Sequence, residues 1–125
     1  MTLEYRSLKG YKFQVTGEYL RHTPILPPHD IQTPFIDLAM NGNLCIAKGY
    51  AWNGANGPTK DTADTIEGTL VHDAFYQLMQ SGYLGSVNKV AVDLLFHRIL
   101  RENGMSKFRA AYWRWAVLHF GKAHR

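Results

Sequence analysis

A glycine- and polar-rich stretch from Gly49 to Asp64 divides the chain between two patterns and constrains its fold more than any other feature. It is too long for a plain turn, and connections of that length are more often functional than structural. Before it, short β-like runs are separated by proline and Asn-Gly; after it, apolar residues recur at helical spacing. The expected architecture is α+β: a small N-terminal antiparallel sheet (residues 1–50), the glycine-rich loop (51–64) and three helices (65–121). The first two helices should form an antiparallel pair. With 125 residues, no internal repeat and no long linker, the chain suits a single domain, 1–125.

Tyr11 to Leu20 alternates in part, through Tyr11, Phe13 and Val15, and predicts a strand. His22 to Pro34 holds four prolines and predicts a loop, because proline removes a ladder donor. Phe35–Met40 and Asn43–Tyr50 flank Asn41-Gly42, a strong hairpin signal because both residues tolerate positive φ. Further on, Thr65 to Gln80 predicts a helix stopped by Ser81-Gly82. Ser86 can cap a second helix that runs to Asn103, with Gly104 as its stop. Ser106 can cap a third, to about Phe120, whose aromatic residues (Phe108, Tyr112, Trp113, Trp115 and Phe120) pack or face an interface.

Hydrophobic residues make up 46% of the chain and charged residues 19%, values of a folded globular protein rather than a disordered one. No apolar run approaches the roughly 18 residues that span a bilayer, and Met1 to Gly10 carries no apolar signal segment. If the protein reaches a membrane or leaves its cell, it does so by another route. The lone cysteine, Cys45, excludes an intrachain disulfide and a thiolate zinc cluster; among Leu44, Ile46 and Ala47 it suits a small apolar filler. Net charge is +4, and from Arg98 onward there are seven basic residues and one acid, Glu102. That imbalance could attract lipid or nucleic-acid phosphate, or could be a solvated helix face with a basic tail.

Candidate chemistry lies on the helix pair. In an antiparallel hairpin, residues at equal height have numbers with a constant total, about 165 for a turn centred near residue 83. His72 and Asp93 meet that condition. A carboxylate beside an imidazole fixes its tautomer and makes the other nitrogen a better base. Asp73 points about 100° further round the helix. The loop from Tyr50 to Pro58 is rich enough in glycine to aim backbone carbonyls at one point. Carbonyls with one carboxylate suit a hard cation such as calcium.

His72-Asp73-Ala74-Phe75-Tyr76 resembles the HDxxY helix of secreted and viral phospholipases A₂. The resemblance covers about residues 49 to 97. It implies that His72 activates water, that Asp93 in the facing helix orients His72, and that Asp73 binds calcium. It further implies loop carbonyl ligands near Trp52, Gly54 and Asn56, with Tyr76 in support. The disulfides of the secreted enzymes are absent, as in the viral type. Residues 49 to 121 also resemble a family of unknown function encoded by tailed phages and prophages. Its pattern GYxWDGASGPTxDT corresponds to Gly49–Thr62, and SLVHDALYQLM to Thr69–Met79. An AD pair corresponds to Val92-Asp93, and a closing FG to Phe120-Gly121. This resemblance implies a phage or prophage origin and no particular activity. The family pattern has Asp where this chain has Asn53, and Ser where it has Asn56. A metal site that uses the first side chain would lose a charge here; one built on backbone carbonyls would not.

Rival readings stand beside these. His72, Asp93 and His97 could bind zinc, since His97 follows Asp93 by four residues on the same helix face. His72 and Asp93 could instead be a mutually satisfied structural pair. Trp52 and Tyr50 could be core anchors of the loop. Gly68 costs about 1 kcal/mol in a helix relative to alanine and suggests close approach of a helix or loop, at a height opposite His97. The function expected is a calcium-dependent lipolytic hydrolase acting at a phospholipid surface. The alternative is a non-enzymatic virion or host-interaction protein that meets other phage proteins. No sequence-reading motif supports nucleic-acid binding, and the oligomeric state is left open.

Overall fold

The computed structural model describes residues 3–9, 13–54 and 62–120. The chain divides between Asn53 and Gly54 into two units, one of strands and one of helices. This is the α+β arrangement that the sequence pattern predicts.

The first unit holds two antiparallel sheets rather than one. The strands are β1 (Tyr5–Ser7), β2 (Phe13–Val15), β3 (Tyr19–His22), β4 (Ile31–Gln32), β5 (Ile36–Leu38), β6 (Asn43–Ile46) and β7 (Ala51–Trp52). Their orders are β1-β2-β7 and β3-β6-β5-β4. The single strand predicted over Tyr11–Leu20 is therefore two strands in different sheets. The chain leaves the first after Val15, where the Thr16 N–H donates to the Glu4 carbonyl at 2.9 Å. Two further strands carry little sequence signal. All three residues of β1 are exposed, and β4 is a two-residue edge strand within the proline-rich segment.

Asn41-Gly42 does close the β5–β6 hairpin, though over three residues. The Ala39 N–H reaches the Asn43 carbonyl at 2.9 Å, and the Gly42 N–H reaches the Ala39 carbonyl at 2.9 Å. Only Gly42, at φ +92°, is left-handed; Asn41 is not. Three-residue hairpins with one left-handed residue are a common alternative to the two-residue turn. The Gly42 carbonyl then accepts from both the N–H and the hydroxyl of Thr23, each at 2.8 Å. Alternation holds across the hairpin: Ile36, Leu38, Leu44 and Ile46 are buried, while Asp37 faces solvent. Cys45 lies partly buried between Leu44 and Ile46. Burial, with the carboxylate of Glu18, pushes its thiol up to about 11, which suits an inert filler.

In the second unit, α1 (Ile66–Gln80), α2 (Lys89–Glu102) and α3 (Lys107–Phe120) pack in sequence, α2 touching both neighbours. Gly82 and Gly104 stop α1 and α2 as predicted, at φ +83° and +92°. After α1, the Tyr83 N–H bonds the Leu78 carbonyl and the Gly82 N–H bonds that of Met79. After α2, Met105 and Gly104 do the same to Leu100 and Arg101. Both ends are thus the paired 6→1 and 5→2 closure that a left-handed glycine permits. Ser86 does not cap α2 with its side chain. It opens a short 3₁₀ turn, Ser86–Asn88, held by the Asn88 side chain on the Gly85 carbonyl, and α2 begins at Lys89. Ser106 does cap α3, its hydroxyl accepting from the Arg109 N–H at 3.3 Å.

Gly68 allows α1 and α2 to approach. A Cβ there would lie 3.1 Å from both Leu100 Cδ2 and Phe96 Cε1. Phe96 and Leu100 then join Met105, Ala110 and Trp113 in the core between α2 and α3. Among the described residues, no helix is long and apolar enough to cross a membrane.

Candidate functional site

The antiparallel register of α1 and α2 brings His72 and Asp93 face to face. His72 Nε2 lies 2.9 Å from Asp93 Oδ1, and both side chains are buried. Tyr76, one turn beyond His72, donates its hydroxyl to the same oxygen at 2.7 Å. Its ring lies 4.0 Å from the imidazole, centroid to centroid, and Phe96 lies 5.1 Å away. The imidazole therefore packs against two aromatic rings, which restrict its rotation.

Lys89 completes the cluster, a residue that the sequence alone does not single out. Its Nζ lies 2.9 Å from Asp93 Oδ2 and 3.1 Å from the Leu118 carbonyl of α3. The spacing of four residues between Lys89 and Asp93 on one helix was the available signal. Asp93 thus accepts from an imidazole, a phenol and an ammonium. Among the described residues, no buried side-chain nitrogen or oxygen lacks a hydrogen-bond partner.

These contacts set the protonation states. Burial alone would hold His72 neutral, but the carboxylates of Asp73 and Asp93 outweigh it and raise its pKa. Burial would likewise favour a neutral Asp93, and the hydrogen bonds from His72, Lys89 and Tyr76 overcome it and lower that pKa. Tyr76 is pushed up by burial and by the negative charge of Asp93, so it stays a donor. Asp73 Oδ1 lies 3.8 Å from His72 Nδ1, beyond direct hydrogen-bond distance but near enough for its charge to act on the ring.

The remaining predicted residues are distributed as follows. Trp52 lies on β7 of the first unit, opposite Phe13. Its buried indole packs 5.4 Å from the Phe13 ring and 6.4 Å from that of Tyr5, so it is a core anchor, as is buried Tyr50. Asn53 is exposed, Gly54 is buried with φ +77°, and Asn56 lies outside the described residues. His97 does not join the His72–Asp93 pair. Partial burial, Arg114 and Arg101 all lower its pKa, and two cations nearby disfavour a third. Among the described residues, no three His, Cys, Asp or Glu side chains gather to hold a metal ion. The zinc grouping also suffers because both Asp93 oxygens are already committed. The hard, partly exposed carboxylate of Asp73 does suit calcium by its donor chemistry.

Near the start of α1 a second polar cluster links it to α3. Arg109 donates to both oxygens of Asp64 and to the hydroxyl of Thr62, while Thr62 donates to Asp64. In comparisons with family models, curated proteins and solved structures, nothing matches this chain.

Proposed function

We propose that this chain is a phage-encoded, calcium-dependent lipolytic hydrolase, with His72 as its general base and Asp93 as its orienting carboxylate. What supports the reading is one relation: Nε2 of His72 bonds Asp93 at 2.9 Å, while Nδ1 is directed towards partly exposed Asp73.

In this reading, the Nε2–H donated to Asp93 leaves Nδ1 as the basic nitrogen of the neutral ring. Nδ1 takes a proton from water as the water attacks the ester carbonyl, and Asp93 stabilises the imidazolium that forms. The proton then passes to the departing alcohol. Tyr76 and Phe96 keep the ring in place, and Lys89 keeps Asp93 ionised. Asp73 would hold calcium, the role that the phospholipase A₂ resemblance implies for it. Bound calcium would polarise the ester carbonyl. The test is fatty-acid release from phospholipid vesicles in calcium and in chelator, with thermal melts under both conditions. A ligand bound only by the native state must raise the melting midpoint. Release that persists in chelator removes calcium from the scheme, and the absence of release in both removes the hydrolase.

A second reading is favoured by Lys89. An Asp93 satisfied by three donors, with Lys89 also tied to α3, forms a polar staple between helices that needs no catalysis. In that case the chain is a non-enzymatic virion or host-interaction component. Substituting His72 would then lower stability and alter no turnover.

A further inference from the structure

An isolated surface helix normally shows one apolar face and one polar face. α3 does not. Ala110, Trp113 and Ala116 face inward and are buried, yet the opposite side is also apolar. Phe108 is 91% exposed, and Tyr112, Trp115 and Leu118 are each nearly half exposed. Phe108, Tyr112 and Trp115 follow one another at helical spacing and form a single stripe with Leu118 at its edge. The Tyr112 and Trp115 rings stack on each other 6.2 Å apart, and His119 continues the row 4.6 Å from Trp115.

The rim of this stripe carries one sign of charge. Lys107 and Arg114, seven residues apart, flank it on one side, while Arg109, on the other, is already paired with Asp64. No acid occurs after Glu102, so no carboxylate of α3 itself pairs with Lys107 or Arg114. Trp and Tyr rings favour the boundary between apolar chains and headgroups, and cations beside them favour anionic headgroups. Nucleic acid would also meet the positive rim. A single strand is held, however, in a positively charged groove with aromatic platforms, whereas this stripe is the convex outer face of one helix.

We propose that the outward stripe of α3 (Phe108, Tyr112, Trp115 and Leu118), rimmed by Lys107 and Arg114, docks on the surface of an anionic phospholipid membrane. The helix lies in the interface plane, its rings at headgroup depth and its cations against lipid phosphate. This deepens the lipolytic reading, on which its purpose rests, because it names the surface that would present the substrate. The binding itself needs no turnover.

The experiment is co-sedimentation of the full chain with phosphatidylcholine vesicles, with and without phosphatidylglycerol, in chelator. Tryptophan emission is followed in parallel, since Trp115 is exposed while Trp52 and Trp113 are buried. Expected are binding to the anionic vesicles that weakens with salt, and a blue shift of emission. Binding should fall on the order of tenfold in a Lys107→Glu, Arg114→Glu protein, and by at least as much in Phe108→Ser, Trp115→Ser. Both pairs change exposed positions, and matched thermal melts establish that they fold. Equal binding to neutral and anionic vesicles, or binding unchanged in both pairs, overturns the proposal. So does retention on single-stranded DNA but not on vesicles, or a dimer in solution that Trp115→Ser dissociates. If binding holds and no fatty acid is released, the docking surface stands and the hydrolase reading falls.

Discussion

The ammonium of Lys89 lies 2.9 Å from Asp93 Oδ2, the oxygen that His72 and Tyr76 leave to it. Through that contact the acid facing His72 is bound to its own helix and, through the Leu118 carbonyl, to α3. Lys89→Met keeps the length of the stem and removes the charge. The expected loss is about 2 kcal/mol, the scale of a partly buried hydrogen bond to a charged group. Urea unfolding of wild type and variant measures it. An unchanged midpoint would show that the Lys89–Asp93 contact contributes nothing to the packing of α2 on α3.

The opposed shifts of His72 and Asp93 predict a stability window. Asp93 is lowered from 3.8, so its contribution is present above that pH and lost as pH falls through the lower folded value. His72 is raised from 6.5, so its contribution is complete below 6.5 and lost as pH rises through the higher folded value. The helical unit is therefore most stable between these limits. The difference between wild type and His72→Asn melting midpoints, plotted against pH, should shrink on the alkaline side. If His72 is the base, turnover runs the opposite way and rises as the ring loses its proton.

Gly68→Ala tests the approach of α1 to α2. Alanine gains up to about 1 kcal/mol of helix propensity over glycine. Its Cβ, however, would meet Leu100 and Phe96 at 3.1 Å, and both are buried in the helical core. Overpacking of this kind costs about 1–3 kcal/mol, so net destabilisation is expected. A stabilised variant would mean that the helices part readily.

Gly42→Ala should damage the β unit. The residue has φ +92°, and an added Cβ would fall 2.0 Å from the Thr23 carbonyl oxygen. The left-handed backbone alone costs roughly 1–2 kcal/mol, and the clash with backbone adds to it. A lower midpoint in urea unfolding than that of the wild type is the expected outcome, and an unchanged midpoint would contradict it.

Much of the helical unit was legible because its signals are local. Gly82, Gly104 and Ser106 act at the positions where sequence rules put them, and a height rule for paired helices was enough to match His72 with Asp93. Ser86 misled because a 3₁₀ turn can precede a helix without any side-chain cap. The sheets were harder. β1, β4 and β7 are two or three residues long, too short for alternation to register, and their pairing depends on distant partners. Lys89 was missed for a different reason. A lysine on a helix is normally a solvated charge, and only the α2–α3 packing turns this one inward to Asp93.

The most direct measurement is the initial rate of fatty-acid release from anionic phospholipid vesicles in calcium, for wild type and for His72→Asn at matched folding. The account predicts release by the wild type and a loss of at least about a hundredfold in the variant, the scale of a general base removed. Equal rates from the two proteins, or a folded wild type that releases nothing, would contradict it.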